Sequence, residues 1–190
     1  IILNDILGLS WEIISDKRKL GNHPVINYSN DNIKGAFKIA PDSLIFEKGI
    51  SPKTIEIAEW KGLPVFFLTS ADSDIPFDIF SASFFLISRY EEYLDYKPDK
   101  YGRYPADISV AFRNGFLELP VIDLWVKEMS KIFLRKFQTL AFKQCEYKSL
   151  LTIDADEPFA YLGKGLFRTI GGLFRDIKNN DGHVAERYRI

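Results

Sequence analysis

Strands interleaved with helices predict an α/β chain, in which a mixed sheet is packed with helices. Three observations carry this. Pro64 to Leu68 is a short, continuous apolar run of the kind that forms a buried strand. Ile75 to Leu94 repeats apolar residues at helical spacing, and a second helical pattern follows Pro120. The chain has 190 residues, room for one ordinary domain or for one plus part of another. An apolar share of 46% and a charged share of 27% exclude disorder or coiled coil as its main state. Its net charge of −1 gives no bulk electrostatic case for nucleic acid or for an anionic membrane. Aromatic residues reach 15%, which promises a sizeable core, an exposed aromatic surface, or both.

Turn chemistry breaks the first sixty residues into short pieces. Trp11 to Ser15, Val25 to Tyr28, Phe37 to Ile39 and Leu44 to Phe46 read as strands. Asp16 to Lys19 and Ser29 to Asn32 read as turns between them. In the helix from Ile75 to Leu94, Asp74 is the expected N-cap and Pro76 sits in the first turn. Phe77, Phe80, Phe84, Ile87 and Leu94 form its expected core stripe. Asp78, Ser81, Ser88, Arg89 and Glu92 take the other side, with Phe85 among them. Asn114-Gly115 signals a turn, and the alternation of Ile108, Val110 and Phe112 suggests a hairpin there. The helix after Pro120 presents Ile122, Trp125, Val126, Met129, Phe133, Phe137 and Leu140 on one face. Ser149 to Ile153 reads as a buried strand, and Phe159 to Ile177 as a last helical segment interrupted by Gly171-Gly172.

The chain opens without Met and without a charged stretch ahead of an apolar run, so a signal peptide is not visible. Its apolar stretches are too short to span a bilayer. No capping glycine or polar tail follows the last residues, and the sequence reads as a piece of a longer protein. Cys145 is the lone cysteine, which excludes an intrachain disulfide and cysteine-rich zinc modules. With no visible signal peptide, this leans towards a cytoplasmic location.

Chemistry has two candidate places. Thr152-Ile153-Asp154-Ala155-Asp156 ends a strand in two carboxylates, Asp154 and Asp156. At the carboxyl edge of a sheet they suit divalent-metal binding or base catalysis. The same pair is also an ordinary strand-to-loop feature that caps the next segment. The second candidate is a polar cluster of Asp78, Arg89 and Glu92, joined by Tyr101 and Arg103. It either lines a cleft for a polar ligand or pins the helix to the following loop. His23 and His183 are too far apart to form a local zinc pair. Cys145 reads as a small hydrophobe rather than a nucleophile. Gly163-Lys164-Gly165 lacks a phosphate-loop frame. Lys164, Arg168 and Arg175 follow one side of the last helix and read as a solvated face or a partner contact.

Four strings carry a family resemblance: PFDIFSASFFLISRYEEYL, DKYGRYPAD, NGFLELPVIDLW, and TIDADEPFAYLGKG with RTIGG. Together they resemble polysaccharide deacetylase-like proteins of the Bacteroidetes type. That resemblance implies an N-terminal α/β domain over residues 1–147. Residues 148–190 would then begin a NodB-homology domain, with the first strand and helix of a deacetylase-type (β/α) barrel. NodB-type enzymes read T-F-D-D-G at that strand end. Asp154 matches the catalytic base, Ala155 takes the metal-ligand position, and Asp156 is displaced by one. The superfamily's histidine pair would lie beyond Ile190. The implied parent is a divalent-metal (zinc-like) hydrolase that removes acetyl groups from a glycan. This chain alone is expected to bind no metal tightly. The alternative is an accessory module that binds glycan or a protein partner without chemistry.

Overall fold

The computed structural model describes residues 1–70, 72–138, 140–142, 148–154 and 166–179. The chain divides into two compact units, Ile1–Cys145 and Glu146–Ile190. Helices dominate the described residues, and the strands among them are short, so the α/β class holds in its general sense. No barrel occurs among the described residues.

In the first unit, β1 (Ile26–Asn27) pairs in parallel with β2 (Phe37–Lys38). β3 (Ala58–Trp60) pairs antiparallel with β4 (Leu63–Val65). The β3–β4 turn is Lys61-Gly62, with φ of 56° and 77°. Positive φ at both central residues is the type I′ geometry that matches strand twist, and glycine adopts it without strain. This is the hairpin among the described residues. The alternation at Ile108, Val110 and Phe112 is not one. It belongs to a 3₁₀ turn, Ala106–Ile108, and to the short helix α2, Val110–Arg113. There Ser109 caps the Phe112 amide, and Asn114-Gly115 ends the helix. Leu44–Phe46 is likewise a 3₁₀ turn rather than a strand, its first amide held by Asp42. Trp11 to Ser15 is irregular and exposed, and no segment among the described residues offers it a ladder.

The central helix is shorter than its apolar pattern. α1 spans Ile79–Ile87, and its N-cap is Asp78 rather than Asp74. Asp74 is taken up elsewhere, accepting the Lys38 amide at 2.6 Å. The Pro76 carbonyl faces Thr69, whose amide donates to it at 2.9 Å. At the other end Arg89 adopts φ 54°, a left-handed stop, and Tyr90–Tyr93 continues as a 3₁₀ turn. The helix also faces the opposite way to the expectation. Phe85 is 3% exposed and Phe84 is 46% exposed. Ser81, Ala82 and Ser83 are buried beside Phe85. A helix reading Ile-Phe-Ser-Ala-Ser-Phe-Phe-Leu-Ile is apolar nearly all round, so periodicity does not choose its inner face. Small residues choose it, by letting the helix approach its neighbours closely.

α3 spans Val121–Lys136, ending before Phe137 and Leu140 of the expected stripe, with Pro120 before it, Asp123 in the first turn and Arg135 and Lys136 in the last. It buries Val121, Trp125, Val126, Met129 and Phe133. Trp125 sits in an aromatic core, with ring centroids 5.2 Å from Phe77 and 5.8 Å from Phe66. Its indole N–H donates to the Pro64 carbonyl at 2.9 Å, so the buried polar tip is satisfied.

In the second unit, α4 spans Leu166–Asn179. The strand expected at Ser149 to Ile153 does not form. Residues 148–154 are irregular, and Leu150, Leu151 and Ile153 are exposed. A strand needs a partner for its backbone N–H and C=O groups, and none is present among the described residues.

Candidate functional site

Asp78 is fully buried and acts as a hub. Its Oδ1 accepts the amides of Phe80 and Ser81 at 3.0 and 3.1 Å, which caps α1. Its Oδ2 accepts the Tyr28 hydroxyl at 2.6 Å, the Asp42 amide at 2.7 Å and the Ser81 hydroxyl at 2.7 Å. Five donors fill the acceptor capacity of one carboxylate, so Asp78 has no lone pair left for a ligand. Burial and the Asp78 charge raise the Tyr28 hydroxyl pKa far above its ordinary value. The role is structural: three segments distant in sequence meet on one side chain.

The expected polar cluster therefore separates into parts. Asp78 belongs to the hub and touches neither Arg89 nor Glu92. Arg89 and Glu92 do pair, three residues apart on an exposed turn. Tyr101 and Arg103 also meet, the guanidinium lying 4.7 Å from the ring centroid. Asp99 holds that loop by accepting the Tyr101 and Arg103 amides at 2.7 and 2.9 Å. The Arg103 backbone and side chain hold the Asp99 carboxyl below the ordinary aspartate range.

Between these pairs lies a group that sequence reasoning passed over. Glu91 is half-buried and accepts the Val110 amide at 2.9 Å, at the start of α2. Burial pushes its pKa up, against the pull of the Val110 amide, the Tyr104 hydroxyl and Arg113. Tyr104 in turn is pushed up to about 12 by burial and by the Glu91 charge. Two facing groups with perturbed titration are a reason to look for function. Here the carboxylate is committed to a backbone amide and fixes the loop. Val110 lies 19 residues from Glu91, so no local pattern signals the contact.

A second set surrounds a polar hollow of about 240 Å³ lined by Lys34, Lys38, Asp72, Asp74 and Lys136, among others. Buried Lys38 forms an ion pair with Asp72. Lys136 pairs with Asp74 at 2.7 Å. The Lys38 and Ser70 contacts hold the Asp72 carboxyl below its ordinary value. Each of these two lysines is matched by a carboxylate, which leaves neither as a free nucleophile or anion receptor.

Another concavity is apolar, an open groove of about 270 Å³ lined by Leu86, Ile87, Phe116, Leu117, Leu119 and Val121 among others. Ile87, Leu117 and Leu119 are exposed within it.

Asp154 is exposed, with no hydrogen-bond or ionic partner among the described residues. Asp156, Cys145 and His183 lie outside the described residues. His23 is exposed in the first unit. Among the described residues no group of three or more His, Cys, Asp or Glu side chains could hold a metal. The described residues therefore do not supply the donor set of a catalytic metal. No described helix is long and apolar enough to cross a membrane. No curated protein and no solved structure matches the chain. The family of unknown function DUF7033 matches residues 1–138, which takes in the Asp78 hub, the Glu91 cluster and the whole of α3, and the chain belongs to that family.

Proposed function

We propose that this chain is the N-terminal portion of a carbohydrate deacetylase-like hydrolase. In this reading residues 1–138 are a non-catalytic scaffold and Asp154 is the general base. The observation that carries it is Asp154 itself, exposed and unpartnered among the described residues at the strand end where the resemblance places the base. Asp78, Glu91, Asp74 and Lys38 are each committed to structural partners. A general base needs a free lone pair within reach of the attacking water. The resemblance of Thr152 to Asp156 to the strand end of deacetylases supports the assignment, and a divalent metal is what that family would supply.

The test is acetate release from an acetylated glycan. The 190-residue chain is expected to release none and to take up zinc weakly at best in calorimetry. The polypeptide extended beyond Ile190 is expected to release acetate, and Asp154→Asn to slow it by about 10²–10⁴-fold. Sustained release by the short chain, or no release by the extended one, refutes the reading. The apolar groove favours a second reading, an interaction module that takes an apolar side chain from a protein partner. An extended polypeptide without hydrolytic activity, together with partner binding lost in Leu119→Asp, would select it.

A further inference from the structure

We propose that α4 is a membrane-surface helix: its apolar face enters the headgroup region of an anionic lipid layer, and its cations hold the lipid charge. The inference uses α4 alone and takes its apolar face as free, whereas the barrel that the reading above implies would cover that face, so the two compete.

Phe167, Ile170, Phe174 and Ile177 are spaced three and four apart, so they share one face of the helix. They are 92%, 45%, 70% and 60% exposed. α3 has a comparable stripe, yet its Trp125, Met129 and Phe133 are buried in the first unit's core. A stripe with two phenylalanines and two isoleucines facing water marks a surface that something covers. α4 is too short to cross a bilayer, but it suits lying in the interface plane, with bulky apolar residues on one face and cations beside them.

Charge selects the occupant. The whole chain carries a net charge of −1, but α4 has Arg168, Arg175 and Lys178 against the single acid Asp176. Arg168, Arg175 and Lys178 are all exposed, with no ionic partner among the described residues. Lys178 lies one residue past Ile177, at the edge of the apolar stripe, where its stem can stay with the apolar face while its ammonium meets phosphate. An anionic lipid surface offers apolar depth and negative charge in this arrangement. A second copy of α4 would bring the same three cations against themselves.

The experiment is flotation of the full 190-residue chain with vesicles. One set is phosphatidylcholine, and the other carries about one third phosphatidylglycerol. Partition onto the anionic set is expected to exceed the neutral set by about tenfold or more and to fall as salt rises. Phe174→Asp is expected to abolish flotation, and the pair Arg168→Glu and Arg175→Glu to remove the anionic preference. Trp11, Trp60 and Trp125 all lie in the first unit, so an unchanged intrinsic fluorescence spectrum shows that these variants leave that unit folded. Insertion is read separately with Phe174→Trp, whose added emission is expected to be quenched by brominated acyl chains. Four results overturn the proposal: no flotation, equal flotation with both vesicle sets, flotation unaffected by Phe174→Asp, or a dimer in light scattering that Phe174→Asp dissolves while vesicles bind nothing. Acetate release is a separate measurement, so each reading can fail alone.

Discussion

Replacing Asp78 by alanine should cost the first unit more than any other single polar change. Asp78→Ala removes the cap of α1, a loss of about 1 kcal/mol. It also strands the Asp42 amide and the Tyr28 hydroxyl, which both point at Oδ2. A buried donor left without an acceptor costs about 1–3 kcal/mol. Together these give about 3–7 kcal/mol, a large part of the roughly 5–15 kcal/mol that holds an ordinary domain together. Tyr28→Phe is the control. It removes one donor and leaves Asp78 with four, so it should cost only about 1 kcal/mol. The assay is urea unfolding followed by the fluorescence of buried Trp125. With a slope of about 1–3 kcal/mol per molar urea, Asp78→Ala should move the midpoint by about 1 M or more. The two substitutions share a contact, so their double mutant should cost less than their sum by at least about 0.5 kcal/mol. A midpoint for Asp78→Ala that lies within about 1 kcal/mol of the parent would refute the idea that this carboxylate joins three segments.

Phe85→Ala should cost about 3–5 kcal/mol, and Phe84→Ala at most about 1, because the burial of the two neighbours is opposite. Equal melting temperatures would mean that the helix is turned the other way. Lys61→Asn should raise stability by a few tenths of a kcal/mol, since Asn-Gly is the preferred type I′ pair and Lys61 already holds φ 56°. A drop in melting temperature would argue against that turn. Glu91 should titrate above the ordinary glutamate value of 4.5 in a carbon-detected NMR titration. The sign follows from linkage. The folded state holds this proton more tightly, so stability should fall as pH rises from the ordinary value through the raised one. Glu91→Gln keeps an acceptor for the Val110 amide and should remove that slope. An unchanged slope in the variant would assign it to other groups.

Legibility differed from element to element for physical reasons. α3 was readable because its face and its charge pattern agree: an acid in the first turn, cations in the last, and core residues at helical spacing. α1 was readable as a helix but not in its ends or its facing. Its ends depend on Asp74 being drawn to Lys38 and Lys136, contacts 36 and 62 residues away in sequence. Its facing depends on small residues and on Asp78, whose partner Tyr28 is 50 residues distant. Lys61-Gly62 was passed over because lysine is not a signature residue of a type I′ turn. Ile108, Val110 and Phe112 misled by alternating through a turn that is too short to show a helical period. In the polar cluster, the local pair Arg89–Glu92 was legible from its spacing, whereas the contact of Arg103 with the Tyr101 ring was not. The non-local links from Glu91 to Val110 and from Asp78 to Tyr28 were not.

What the family-matched region does with its charges bears on where function should be sought. A carboxylate or an amine that works on a ligand must hold back a lone pair or a charge from the fold. Asp78 holds back none, because five donors occupy it. Glu91 is bound to an amide, and Lys38 and Lys136 are bound to Asp72 and Asp74. These groups fix loops to helices, and changing them should move stability before it moves any binding. The same accounting leaves Asp154, Arg168, Arg175 and Lys178 exposed and without partners among the described residues. Two of the tests above fall on these groups, although Glu12, Lys34, Asp107, Glu118 and Asp123 of the first unit are also exposed and without partners among the described residues. Substitutions at Asp78 or Glu91 should then leave any vesicle binding or acetate release intact per folded molecule. A loss of either activity at full folding would place the working groups back in the first unit.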